Sequence, residues 1–149
     1  MLLINGYHIM NKMGKETAYV VFEKGFEYND EIYHEADING GAPKRVTFSK
    51  DDARRLVDEL NRKSIRGCDI RNYAYDIEDL CDPLKLEAFF IKHGWKWDED
   101  MYDVCIPEEA TDEQLDELLD IISLSFFDYQ EVELDMISFR DRQIDNTIR

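Results

Sequence analysis

The amino-acid sequence predicts an α+β fold, an antiparallel hairpin or small sheet packed against helices in a single compact domain. Three observations carry this expectation. The runs "ETAYVVFEKG" (16–25) and "DEIYHEAD" (30–37) are rich in β-branched and aromatic residues and are separated by the turn signal "YND". Later stretches repeat apolar residues at helical spacing and carry capping residues at their starts. No internal repeat, low-complexity tract or Pro/Gly/Ser-rich linker divides the chain. A chain of 149 residues buries roughly 68–70% of the surface its unfolded form exposes, so one domain needs no covalent staples.

Taken in order, residues 1–15 are expected to be a flexible leader. Residues 17–24 and 30–36 form the expected hairpin, packed against a helix of residues 50–62. "INGGAP" (38–43) breaks the chain and "KRVTF" (44–48) offers a third short strand. Ser49 is placed to cap the helix, whose buried stripe is Ala53, Leu56, Val57 and Leu60. In "DIRNYAYDIEDLC" (69–81), Ile70, Tyr73, Ala74, Ile77 and Leu80 share one helical side, although "NYAY" also suits an extended chain. "DPLKLEAFFIKHG" (82–94) reads as a helix with Asp82 as cap, Pro83 at its first position and Gly94 beyond its end. "WKWDED" reads as a turn and "MYDVCI" (101–106) as a strand. Thr111 and Gln114 form a capping-box pair before the stripe Leu115, Leu118, Leu119 and Ile122. "FFDYQEVELDMI" (126–137) alternates Val132, Leu134 and Met136 against Glu131, Glu133 and Asp135, the pattern of a half-buried strand. The polar residues 140–149 are expected to fray.

The order "YVVFEKGFEYNDEIYHEA", "VTFSKDDARRLVDELN", "IPEEATDEQLDELLDII" and "FFDYQEVEL" resembles small acidic bacterial and phage proteins that join a hairpin and a helix to an acidic C-terminal half. The resemblance spans Thr17 to Leu134. It implies a compact natural fold and carries no activity with it.

The net charge of −16 is unevenly placed. Residues 1–67 hold 11 Lys+Arg and 11 Asp+Glu, whereas residues 68–149 hold 7 and 23. The chain therefore divides into a charge-balanced ββ(β)α half, residues 16–67, and an acidic α/β half, residues 68–139. Such a field repels nucleic acid and anionic membranes and attracts basic protein surfaces. The basic side chains Lys44, Arg45, Arg54, Arg55, Arg62, Lys63 and Arg66 are expected to be used locally. Asp51, Asp58 and Glu59 each precede one of them by four residues, the favourable helical spacing.

The acidic peak is "EEATDEQLDELLDIIS" (108–123), with seven acidic side chains and no Lys or Arg. Glu113, Asp116, Glu117 and Asp120 lie on one helical side, where their neighbours three and four residues away are of like charge. Stability within the helix does not select such a face. The expected role is docking of a basic protein surface, with Trp95 and Trp97 as a candidate anchor pair.

Other chemistry is weaker. "DEDMYD" gathers Asp98, Asp100 and Asp103 as candidate ligands for a divalent cation, but it lacks the Gly and Glu spacing of an EF-hand loop. His8, His34 and His93 stand alone, and Ser123 and Ser125 lack a nucleophile-elbow setting. No glycine-rich nucleotide loop is present, so no cofactor is expected. Cys68, Cys81 and Cys105 suit neither a disulfide framework nor a paired zinc site. They are expected as reduced thiols in a cytoplasmic protein, with Cys105 facing inward. No signal-peptide order or membrane-length apolar run occurs.

The expected function is thus a non-catalytic acidic protein-binding module, including inhibition by nucleic-acid mimicry. The alternatives are a scaffold subunit of a larger assembly, or a small metal-dependent enzyme using Asp98 to Asp103 with Glu131 and Glu133.

Overall fold

The computed structural model of the protein describes residues 15–36 and 41–135. The expected leader, apart from Lys15, lies outside those residues, as do His8, Met136 and the tail from Arg140. The chain runs β1 (Lys15–Glu23), β2 (Phe26–Tyr28), β3 (Tyr33–Glu35), β4 (Ala42–Thr47) and α1 (Lys50–Ile65). Two 3-10 turns follow, Ile70–Tyr73 and Ile77–Asp79, and then α2 (Pro83–Lys92), α3 (Asp112–Ile121) and β5 (Phe127–Asp135). The fold is α+β: a three-stranded antiparallel sheet in the order β4–β1–β5, a separate β2–β3 hairpin, and helices packed against them.

The pairing of the first strands differs from the expected hairpin. Residues 17–24 do not pair with 30–36; β1 pairs with β4 on one side and β5 on the other, with Val20 opposite both Val46 and Gln130. The reason lies in β1 itself, which is apolar on both faces, with Tyr19 and Val21 on one and Ala18, Val20 and Phe22 on the other. Such a strand belongs in the middle of a sheet. The segment around Tyr33 pairs instead with β2 across a short turn, with Tyr28 opposite Tyr33. Gly41, at φ +75°, opens β4 where a Cβ would overlap the Glu23 carbonyl, so the third strand requires glycine there.

Helix α1 joins two cores. Ala53 and Val57 pack with Val21 beneath the sheet, flanked by Tyr19, Leu56, Leu60 and Tyr129. Ile65, two turns further on, belongs to a larger core with Ile70, Ile77, Leu86, Phe90, Ile106, Leu115 and Leu118. Between them Asn61 is only 6% exposed, the sole buried polar residue among those described. Its Oδ1 accepts from the Phe126 and Phe127 amides at 2.8 and 2.9 Å, and its Nδ2 donates to the Phe127 carbonyl at 3.0 Å. One amide side chain thus fixes the start of β5 against α1.

The region 69–81 is not one helix. Asp69 Oδ1 accepts from the Arg71 amide, and the Asp76 amide donates to Asp79, so two short turns form on either side of the extended Ala74. The five apolar residues of this segment still reach the larger core. The expected strand 101–106 is reduced to a single bridge, Asp69 to Cys105. There the expected inward Cys105 is overturned. Val104 and Ile106 are 2% and 1% exposed and turn to the core, while Cys105 is exposed. Alternation puts both flanking aliphatics on one side, and burying two of them outweighs burying one thiol.

Candidate acidic interface

Helix α3 begins as its sequence directs. Thr111 Oγ1 accepts from the Gln114 amide at 3.2 Å, and Gln114 Oε1 accepts from the Thr111 amide at 2.9 Å. Leu115 and Leu118 are fully buried, which turns Glu113, Asp116, Glu117 and Asp120 outward. The four carboxylates do not form one uniform face. Arg62 of α1 bonds Asp116 at 2.9 Å, and Arg66 bonds Asp112 at 3.0 Å. Arg66 also donates to the carbonyls of Glu108 and Ala110 just before α3. On the other side Lys92 of α2 meets Glu117 at 3.0 Å. Glu113 and Asp120 form no ion pair among the described residues.

The basic residues of α1 are therefore not used as their spacing suggests. Arg62 turns away from a local role and neutralises α3, while Arg55 pairs with Asp52, three residues before it. Pairing across helices relieves much of the like-charge repulsion that α3 shows in isolation.

His93 reinforces the Glu117 side. Because the Gln114 oxygen is held by the capping box, its NH₂ faces His93 Nδ1 at 3.1 Å. Nδ1 then accepts, so the ring proton sits on Nε2 and faces Glu117 Oε2 at 3.4 Å. Lys92 first, and His93 after it, hold the Glu117 carboxyl below the usual range.

The opposite condition holds where α1 meets the end of α3. Asp58 is exposed, yet partial burial raises its pKa, and the nearby carboxylates of Asp116 and Asp120 raise it further against the lowering effects of Arg62 and Arg54. A depression of about 340 Å³ opens here, lined by Asp58, Asn61, Asp120, Ser123 and Ser125. One carboxylate from each helix thus lines a groove whose wall also carries Leu119, Ile122 and Leu124. Sequence reasoning missed both Asp58 and Asn61. The signal for Asn61 was its place on the four-residue stripe Ala53, Val57, Asn61, Ile65; nothing local marks Asp58.

The remaining candidates lie elsewhere. Trp95 and Trp97 are half-buried at the end of α2 and pack edge-on against Phe90, each with ring centroids 5.3 Å away. Trp95 also backs His93, while Trp97 packs on the larger core. Asp98 and Asp103 line a depression of about 210 Å³ with Lys96 and Cys105, so a cation already occupies its wall. Asp98 Oδ1 accepts from the Asp100 amide and shapes the turn. Glu131 and Glu133 lie on β5, in register with Tyr19 and Thr17. Among the described residues no three His, Cys, Asp or Glu side chains are grouped to hold a metal ion.

The three thiols are unbridged. Burial, with Asp69 behind it, pushes the Cys68 thiol up to about 11, and burial also raises Cys81 and Cys105. None is activated as a nucleophile. Among the described residues no helix is long and apolar enough to cross a membrane. No family model, curated protein or solved structure matches this chain, so the functional reading rests on its own residues.

Proposed function

We propose that this chain is a non-catalytic acidic protein-binding module that receives basic side chains of a partner protein in the groove between α1 and α3. The carrying observation is that Asp58 of α1 and Asp120 of α3 line one groove, in keeping with the raised Asp58 pKa. A lysine or arginine entering the groove would relieve the repulsion between these carboxylates and meet the hydroxyl of Ser123, Ser125 being held by Lys24. Glu113 on the outer turn of α3 extends the acidic field that steers the partner in. Inhibition by occupying a nucleic-acid-binding channel is one use of such a surface. A cytoplasmic setting suits the three unbridged thiols.

The test is affinity capture from lysate with the wild type and with an Asp58→Asn, Asp120→Asn double variant, each at low and high salt. The proposal expects basic proteins that elute with salt and are lost on the double variant. Identical captures by the two proteins would remove the groove from the account.

A further inference from the structure

On the other side of the Ser123–Ser125 segment lies an aromatic surface that the acidic reading did not use. Tyr28, Tyr33 and Tyr75 are 57%, 42% and 50% exposed, unusual for rings held in fixed positions. Tyr28 packs at a tilt against Tyr33 with centroids 5.0 Å apart, and Tyr33 against Tyr73 at 5.5 Å, which forms a row across the hairpin and the first 3-10 turn. Phe26 and Phe126 support the row from beneath, both packing against Tyr73.

The row is preorganised by Asn29. Its Oδ1 accepts from the amides of Glu31 and Ile32, which closes the hairpin turn, and its Nδ2 donates to the Tyr75 hydroxyl at 2.5 Å. The hairpin and the 3-10 region are thereby tied into one platform. Residues 26–36 contain Glu27, Asp30, Glu31 and Glu35, and residues 73–82 contain Asp76, Glu78, Asp79 and Asp82, with no Lys or Arg in either stretch. The register places Glu35 on the same hairpin face as Phe26, Tyr28 and Tyr33. The two cations nearby are engaged: Lys24 bonds Ser125 at 2.8 Å and faces Glu35, and Arg71 donates to the carbonyls of Ala74 and Tyr75.

Ser123 and Ser125 wall both the depression beneath this surface and the Asp58–Asp120 groove, so the two sites are neighbours. We infer that the tyrosine row is the arginine-receiving half of the same interface, with a partner segment crossing Ser123–Ser125. One guanidinium stacks on Tyr28 and Tyr33 beside Glu35, and a second basic side chain enters the acidic groove. Arginine is favoured over lysine at the row because its flat guanidinium stacks on a ring face, whereas an ammonium meets it as a point charge. This inference rests on the acidic protein-binding reading.

The experiment uses two nine-residue peptides, one alternating glycine with arginine and the other glycine with lysine at equal charge, titrated by NMR. The wild type should bind the arginine peptide more tightly, with shifts at Tyr28, Tyr33 and Tyr75. Tyr28→Leu should weaken the arginine peptide by about five-fold and leave the lysine peptide unchanged. Tyr75→Leu serves as a second variant should Tyr28→Leu disturb the hairpin. Equal arginine affinity in both tyrosine variants, with both peptides weakened by Asp120→Asn, overturns the inference and leaves the groove reading standing. Failure of both peptides to bind the wild type at low salt overturns both.

Discussion

The seam between α1 and α3 has two ends with opposite electrostatics. At the start of α3, Arg62 and Arg66 hold Asp112 and Asp116 and tie two helices that sequence separates by about fifty residues. At its end, Asp58 and Asp120 line one groove, and Arg62 and Arg54 offset only part of what raises the Asp58 pKa. The same helices supply both ends, so composition does not explain the difference. Placement does: one end is built for cohesion, and the other leaves charge over. Acidic side chains in one short run therefore divide into a structural set and a set available to a partner.

The largest way to break this comparison is to remove the residue that sets the spacing beneath it. Asn61→Ala leaves the Phe126 and Phe127 amides without their acceptor, and each unsatisfied buried donor costs about 1–3 kcal/mol. A loss of roughly 3 kcal/mol is expected in urea unfolding, with β5 loosened from α1. A change below about 1 kcal/mol would mean that the start of β5 is held by other means.

Next comes the paired end. Arg62→Met removes the partner of Asp116 and the stronger of the two cations, Arg62 and Arg54, that lower the Asp58 pKa, and is expected to destabilise by about 1 kcal/mol at low salt. The loss should shrink as salt rises. An effect independent of salt would assign Arg62 a packing role instead.

The smaller effects sharpen the contrast by sign. Asp58 has a raised pKa, so its ionised form is disfavoured by folding. That penalty is absent below the usual aspartate value of 3.8 and fully present above the raised one. Asp58→Asn should therefore be slightly more stable than the wild type at neutral pH, the gain kept small by solvent screening at this exposed position and fading in acid. Glu117 has a lowered pKa, so its contribution is present above 4.5 and is lost as pH falls through the lowered value. Glu117→Gln should be the less stable protein at neutral pH and match the wild type in acid. Thermal melts of the three proteins between pH 3 and 7 check both signs.

Much of this fold was legible because its signals are local. The cap at Ser49, the Asp82–Pro83 start of α2 and the Thr111–Gln114 box all appear where their residues direct. What was not legible depends on distant partners. β1 reads as any apolar strand until β4 and β5 are known to flank it. Arg62 looked committed to Asp58 because spacing along one helix says nothing of Asp116, fifty-four residues away. The tyrosine row joins residues 28 and 33 to 73 and 75, a contact no periodicity announces. The acidic helix was identified correctly as a feature, but its division into used and unused charge needed α1 and α2 beside it.

The central claim is that the unpaired end of the seam, and not the acidity of α3 as a whole, receives a basic partner. The most direct measurement is the association rate of the alternating lysine peptide with Asp120→Asn and with Glu117→Gln, two variants that remove the same charge from the same helix. The account predicts slower association and a weaker salt dependence for Asp120→Asn, with Glu117→Gln close to the wild type. Equal slowing by both variants would contradict it and return α3 to a uniform acidic surface.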